Sequence, residues 1–127
     1  MNQESGKIKN FTDLTAWKEG HELVLVVYEF TKRFPREELF SLANQLRRAA
    51  VSITSNLAEG FSRPTYRDKV KFYYMALGST TEVENQLIIS KDIGYITDTE
   101  FQQTRKQLVT INKLCNGLIK KSKEFYS

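Results

Sequence analysis

Histidine and cysteine each occur once in this chain, at His21 and Cys115. Nucleophilic chemistry of the Ser-His or Cys-His kind needs a base beside a nucleophile. A zinc site needs several His, Cys or carboxylate ligands at one locus, and one His and one Cys on different segments do not make a credible set. Di-iron bundles use Glu-x-x-His on two helices, which a single histidine cannot supply. His21 therefore reads as a partly exposed structural histidine, and Cys115, which falls on an apolar stripe, as a small buried hydrophobe. Gly78, in Ala76-Leu77-Gly78-Ser79, lies inside a helical pattern and not between a strand and a helix. It reads as a point where a neighbouring helix comes close, not as a phosphate loop. These residues argue against an enzyme, and they imply no cofactor and no metal.

A second set of polar residues keeps helical spacing. Gln45, Arg48, Ser52, Asn56 and Glu59 recur every three or four positions, as do Ser79, Glu82 and Gln86. If the two segments run antiparallel about a turn near residue 64, Arg48 comes within reach of Glu82, and Arg47 or Arg48 within reach of Glu84. Glu84 falls on an apolar stripe and would need a partner there, because burying an unpaired carboxylate is costly. Arg48, Ser52, Asn56, Glu59, Glu82 and Glu84 thus form either a polar network that fixes helix register or a surface that meets another subunit or a protein partner.

Four amphipathic segments must position these residues. The first spans residues 14–34, with Leu14, Trp17, Val24, Val27, Tyr28, Thr31 and Phe34 in a stripe. Thr12 or Asp13 is its expected N-cap, and Pro35 stops it. The second spans residues 37–61 through Leu39, Leu42, Leu46, Ala49, Ile53 and Leu57, with Gly60 as a left-handed end cap. The third runs from Thr65 to Gly94 through Val70, Tyr73, Leu77, Thr80, Glu84 and Leu87, flanked by Phe72, Ala76, Val83 and Ile88. The fourth opens on Thr97-Asp98-Thr99-Glu100, a capping box, and continues through Phe101, Leu108, Ile111, Cys115, Leu118 and Phe125. The links are short, which forces neighbouring helices antiparallel. The expectation is an all-α, up-down-up-down antiparallel four-helix bundle over residues 11–127, preceded by a flexible tail at residues 1–10.

The 127 residues suit one domain. The unpaired cysteine suits a reducing cytosol, and no apolar run approaches the roughly 18 residues of a membrane span. The chain is therefore expected to be cytoplasmic. Its net charge is +4 and its pI about 9.2, a mild excess compatible with nucleic acid. The topology sharpens that excess. One end of the bundle would gather Lys7, Lys9, Arg63, Arg67, Lys69, Lys71, Lys120, Lys121 and Lys123 against Glu4, Asp13, Glu59, Asp68 and Glu124. The other end would hold Lys32, Arg33, Arg36 and Lys91 against Glu29, Glu37, Glu38, Asp92, Asp98 and Glu100. Phe61, Tyr66 and Tyr126 belong to the basic end. Cations beside aromatic rings can hold phosphates and stack bases, although a solvated end that keeps the protein soluble would carry the same residues.

Several segments carry a resemblance. Phe11-x-x-Leu14-x-x-Trp17 leads to Val27-Tyr28, Phe34-Pro35 and Glu38. Gln45-x-x-Arg48-Ala49-x-x-Ser52-x-x-x-Asn56-x-x-Glu59-Gly60 is the most specific stretch. Gly78-Ser79-x-x-Glu82-x-Glu84, Gln86-Leu87 and Gly94-Tyr95-Ile96 follow. From residue 11 to about 120 the chain resembles the bacterial bundle family encoded by intervening sequences in 23S ribosomal RNA genes. That family is also labelled S23 ribosomal protein and is related to the accessory protein of diversity-generating retroelements. Thr54, where that family often has proline, and Thr80, where it is commonly apolar, depart from the pattern without threatening the fold.

The resemblance implies a bundle that assembles into a ring, typically a pentamer, with no known catalysis. It also implies that the polar-stripe residues are structural or subunit-contact residues. The retroelement relatives use a basic ring to engage nucleic acid and a reverse transcriptase. The expected function is a non-enzymatic homo-oligomer that binds RNA, or other nucleic acid such as DNA, through Arg63, Arg67, Lys69, Lys71, Lys120 and Lys121. The alternative is a protein-interaction scaffold that binds no nucleic acid.

Overall fold

Caps and turn residues set most of the helix ends. The protein is described by a computed structural model that covers residues 8–126. The expected tail lies mostly in residues 1–7, outside the described residues, as do Glu4 and Lys7. Asn10 caps a short 3-10 turn, Phe11–Asp13, and the Asp13 carboxylate returns the bond to the Asn10 backbone. The expected side-chain cap of the first long helix at Thr12 or Asp13 does not form, because that helix begins after Leu14, which carries no capping side chain. Helix α1, Thr15–Lys32, follows directly.

Helix α2, Leu42–Ser62, starts later than the pattern suggests. A second 3-10 turn, Arg36–Glu38, intervenes, and it leaves Leu39 and Phe40 in solvent. The Glu38 carboxylate fixes the start of α2. It accepts from the Ser41 hydroxyl at 2.6 Å and the Leu42 N–H at 3.3 Å, and from the Tyr95 hydroxyl of the last connection at 2.8 Å. These bonds, led by the one from Ser41, hold its pKa below the usual carboxylate range.

Helix α3, Tyr66–Asp92, is capped by the Thr65 hydroxyl, and α4, Asp98–Lys123, by the complete Thr97–Glu100 box. Gly94 takes φ +88°, the left-handed conformation that its position after α3 requires.

The helices pack in the cyclic order α1–α2–α3–α4, with α4 returning to α1 and no backbone contact across either diagonal. Short links between sequential neighbours make the bundle antiparallel, as expected. Leu23, Leu46, Ile53, Leu57, Leu87 and Ile111 are fully buried at its centre, each contributing about 1.5–3 kcal/mol by leaving water.

Two glycines set the closest approaches, and neither is Gly78. A Cβ on Gly60 would lie 2.7 Å from the Tyr73 ring, and one on Gly20 would lie 3.0 Å from Thr54. Gly78 is exposed with nothing nearby. Gly60 is thus a helical contact point between α2 and α3, not a left-handed cap.

Several stripes are rotated relative to the sequence reading. Tyr28, Leu39, Ile88 and Phe125 are exposed, whereas Ala16, Leu23, Phe30 and Ile119 are buried. In α3 the buried line is Val70, Tyr73, Ala76, Ser79, Thr80, Val83, Leu87 and Ser90. Small hydroxyl residues are admitted there because they bond back to their own helix: Thr80 donates to the Leu77 carbonyl and Ser90 to the Gln86 carbonyl.

Candidate nucleic-acid interface

Residues from the α2–α3 turn and from the end of α4 meet at one end of the bundle. Tyr66 stacks on Phe125, with ring centroids 4.7 Å apart. The Arg67 guanidinium lies 4.5 Å from the Tyr126 ring centre and approaches its carbonyl oxygen at 3.4 Å. Lys123 donates to the Tyr74 hydroxyl at 2.9 Å while lying over the same ring.

The six cations singled out in the sequence take two different postures there. Arg63 turns inward. It pairs with Glu59 at 2.8 Å and lies 4.6 Å from the Phe72 ring centre, with its Nε buried and unbonded. Lys69 is half-buried against α2 and donates to the carbonyl oxygens of Gly60 and Phe61, where an ammonium suits the helix C-terminus. Desolvation in that position lowers the pKa of its ammonium from the usual lysine range. Arg67, Lys71, Lys120 and Lys121 face solvent, and Lys71 is tethered only loosely to Asp68 at 3.6 Å. Solvent-facing cations beside exposed rings can exchange water for phosphate oxygens.

The polar stripe resolves into separate contacts. The Ser79 hydroxyl donates to the Ser52 hydroxyl at 2.8 Å, and the Asn56 amide donates to the Ser52 carbonyl and hydroxyl. These bonds tie α2 to α3 at mid-bundle.

The expected pairing of Arg48 with Glu82, or of either arginine with Glu84, does not form. Arg47 turns toward α1 instead, donating to Thr31 at 2.7 Å and lying 4.7 Å from the Tyr28 ring centre. Glu84 points toward α4 and meets Arg105 at 3.4 Å. The reason is rotational: positions 82 and 84 lie about 200° apart around a helix, so they cannot both face α2. Arg48 and Glu82 instead line a shallow groove of about 350 Å³ with Gln45, Ser52 and Gln86.

The remaining candidates are quiet. Cys115 is fully buried, and burial pushes its thiol up to about 12, far from thiolate reactivity. His21 is exposed and stacks on Trp17 at 4.8 Å. Among the described residues no cluster of three or more His, Cys, Asp or Glu side chains could hold a metal. None of the described helices is long and apolar enough to cross a membrane.

The sequence reading missed Phe125 as part of the basic end, because its helical spacing placed it on the apolar stripe of α4. The chain turns out of α4 after Lys123, and this frees the ring to stack on Tyr66.

Helix order, short links and glycine contacts define a protein of the small antiparallel four-helix bundle class, with its cations and aromatic rings concentrated at one end. Within that class the chain belongs to the 23S rRNA-intervening sequence protein family, whose pattern matches residues 12–117. A crystal structure of a protein of unknown function from the S23 ribosomal protein family of Bacteroides thetaiotaomicron is similar in fold. It has a TM-score of 0.77 and 23% identity, over 84% of this chain and 99% of that one. No curated protein matches the chain.

Proposed function

We propose that this protein is a non-enzymatic, oligomeric nucleic-acid-binding bundle whose basic end engages RNA. The observation that carries the reading is the meeting of Arg67, Lys71, Lys120 and Lys121, all solvent-facing, beside the exposed rings of Tyr66 and Phe125. Arg63 and Lys69 support that surface from beneath by holding the α2 end and the start of α3 together. Affinity comes mainly from phosphate contacts and the release of condensed counterions.

Self-association, as the pentameric ring expected from the family resemblance, draws on apolar side chains left exposed on the bundle surface. These are Leu25, Tyr28 and Val51 on α1 and α2, and Met75, Ile89 and Val109 on α3 and α4. Unlike apolar faces suit the head-to-tail contacts that close a ring. These same faces favour a protein-interaction scaffold as the second reading.

The test is RNA binding by the full chain and by a variant carrying Arg67→Glu, Lys71→Glu, Lys120→Glu and Lys121→Glu. The variant is expected to keep its helical circular dichroism and lose detectable binding. Binding equal to that of the parent chain would remove the basic-end reading. A parent chain that binds no RNA but assembles through its flanks would favour the scaffold.

A further inference from the structure

The rings at the basic end are placed for more than supporting cations. Tyr66 and Phe125 lie with their planes 22° apart, yet they remain 42% and 57% exposed. Together they form the lip of a pocket of about 310 Å³. Its wall is apolar, built from Leu14, Phe61, Tyr73 and Leu118, and Lys69 and Lys121 stand at its margin. That volume sits at the lower bound of pockets that hold small ligands, roughly 300–1,000 Å³. The combination is specific: flat apolar surfaces for one planar group, with positive charge at the edge and Arg67 beside it over Tyr126.

Duplex bases are already stacked on one another and present no free face. Unpaired nucleotides can lay a base on a ring while their phosphates reach cations. An aromatic peptide side chain would also fit the wall, but the cations at the rim favour a planar group that carries negative charge on both sides.

We infer that the pocket edged by Tyr66 and Phe125 accepts the base of an unpaired nucleotide, with Lys121 and Arg67 on the adjoining phosphates. The inference rests on the basic end being a nucleic-acid surface, and it names what that surface selects: loops, bulges and ends over continuous duplex.

The experiment measures fluorescence anisotropy of the full chain with labelled single-stranded oligouridylate and with a blunt RNA duplex of equal length. Single strands are expected to bind at least about 10-fold more tightly. Tyr66→Ala with Phe125→Ala should lower single-strand affinity about 10- to 100-fold, in line with the loss of one or two stacked bases. Duplex affinity and its salt dependence should stay unchanged. Tyr66→Leu with Phe125→Leu keeps apolar bulk without a stacking face and should lose the preference equally, so the test survives if the alanine variant unfolds.

Equal binding of both RNAs, or a preference that persists without the rings, would overturn the pocket and leave the basic-end reading standing. No binding of either RNA would overturn both.

Discussion

The two ends of the bundle use charge in opposite ways. At the end that holds the α1–α2 and α3–α4 connections, charged groups are committed to folding. Glu38 caps α2 and holds Tyr95, Glu100 caps α4, and Arg33 pairs with Glu100 at 2.8 Å. At the other end Arg63, Lys69 and Lys123 are bonded to neighbouring groups, while Arg67, Lys71, Lys120 and Lys121 face solvent, Arg67 over the Tyr126 ring and Lys71 loosely paired with Asp68. Both ends complete helices, but at the basic end the solvent-facing charge is largely cationic and lies beside exposed rings. The proposed binding surface rests on this contrast and not on the modest overall charge of +4.

The largest test of the contrast strikes the scaffold beneath the basic end. Gly60→Ala would place a methyl group 2.7 Å from the buried Tyr73 ring, and overpacking of this kind costs about 1–3 kcal/mol. Urea unfolding should show that loss, and RNA affinity should fall with it as α2 and α3 separate at the site. An unchanged midpoint would mean that the helices are not held together there.

A smaller loss is expected at mid-bundle. Ser79→Ala removes the bond to Ser52 and should cost about 1 kcal/mol. RNA binding should stay unchanged, because the contact lies away from the cations.

At the acidic end, Glu38→Gln should lower the thermal midpoint at neutral pH without touching RNA affinity. The folded-state pKa of Glu38 is held below its ordinary value of 4.5. Its stabilisation is therefore present above pH 4.5 and lost as pH falls through the lower folded-state value. The gap between parent and variant midpoints should close under acid. A gap that persists there would show that Glu38 acts by packing and not by charge.

The smallest effect is expected at Arg48, which forms no ion pair among the described residues. Arg48→Ala should shift the stability of the isolated bundle by no more than about 0.5 kcal/mol. A much larger loss in the assembled protein would mark its groove as a subunit contact.

The helices, their order and the Thr97–Glu100 box were legible because apolar spacing and capping are local signals. The start of α2 was not, because it depends on Glu38 meeting Tyr95, which is distant in sequence. The rotation of α3 was hidden by its weak amphipathy. It buries Ser79, Thr80 and Ser90 while leaving Ile88, Ile89 and Ile93 in solvent. Gly60 reads as an end cap and Gly78 as a close approach from sequence alone, and only the packing shows that Gly60 is the one that receives a neighbour. The gathering of cations at one end followed from topology. Which of them turn inward did not, because that depends on nearby rings and helix carbonyls.

The most direct measurement is RNA affinity of the full chain at about 50 and about 200 mM salt. Four phosphate contacts from Arg67, Lys71, Lys120 and Lys121 would weaken binding roughly 50- to 150-fold across that range. An affinity indifferent to salt would contradict the assignment of the basic end.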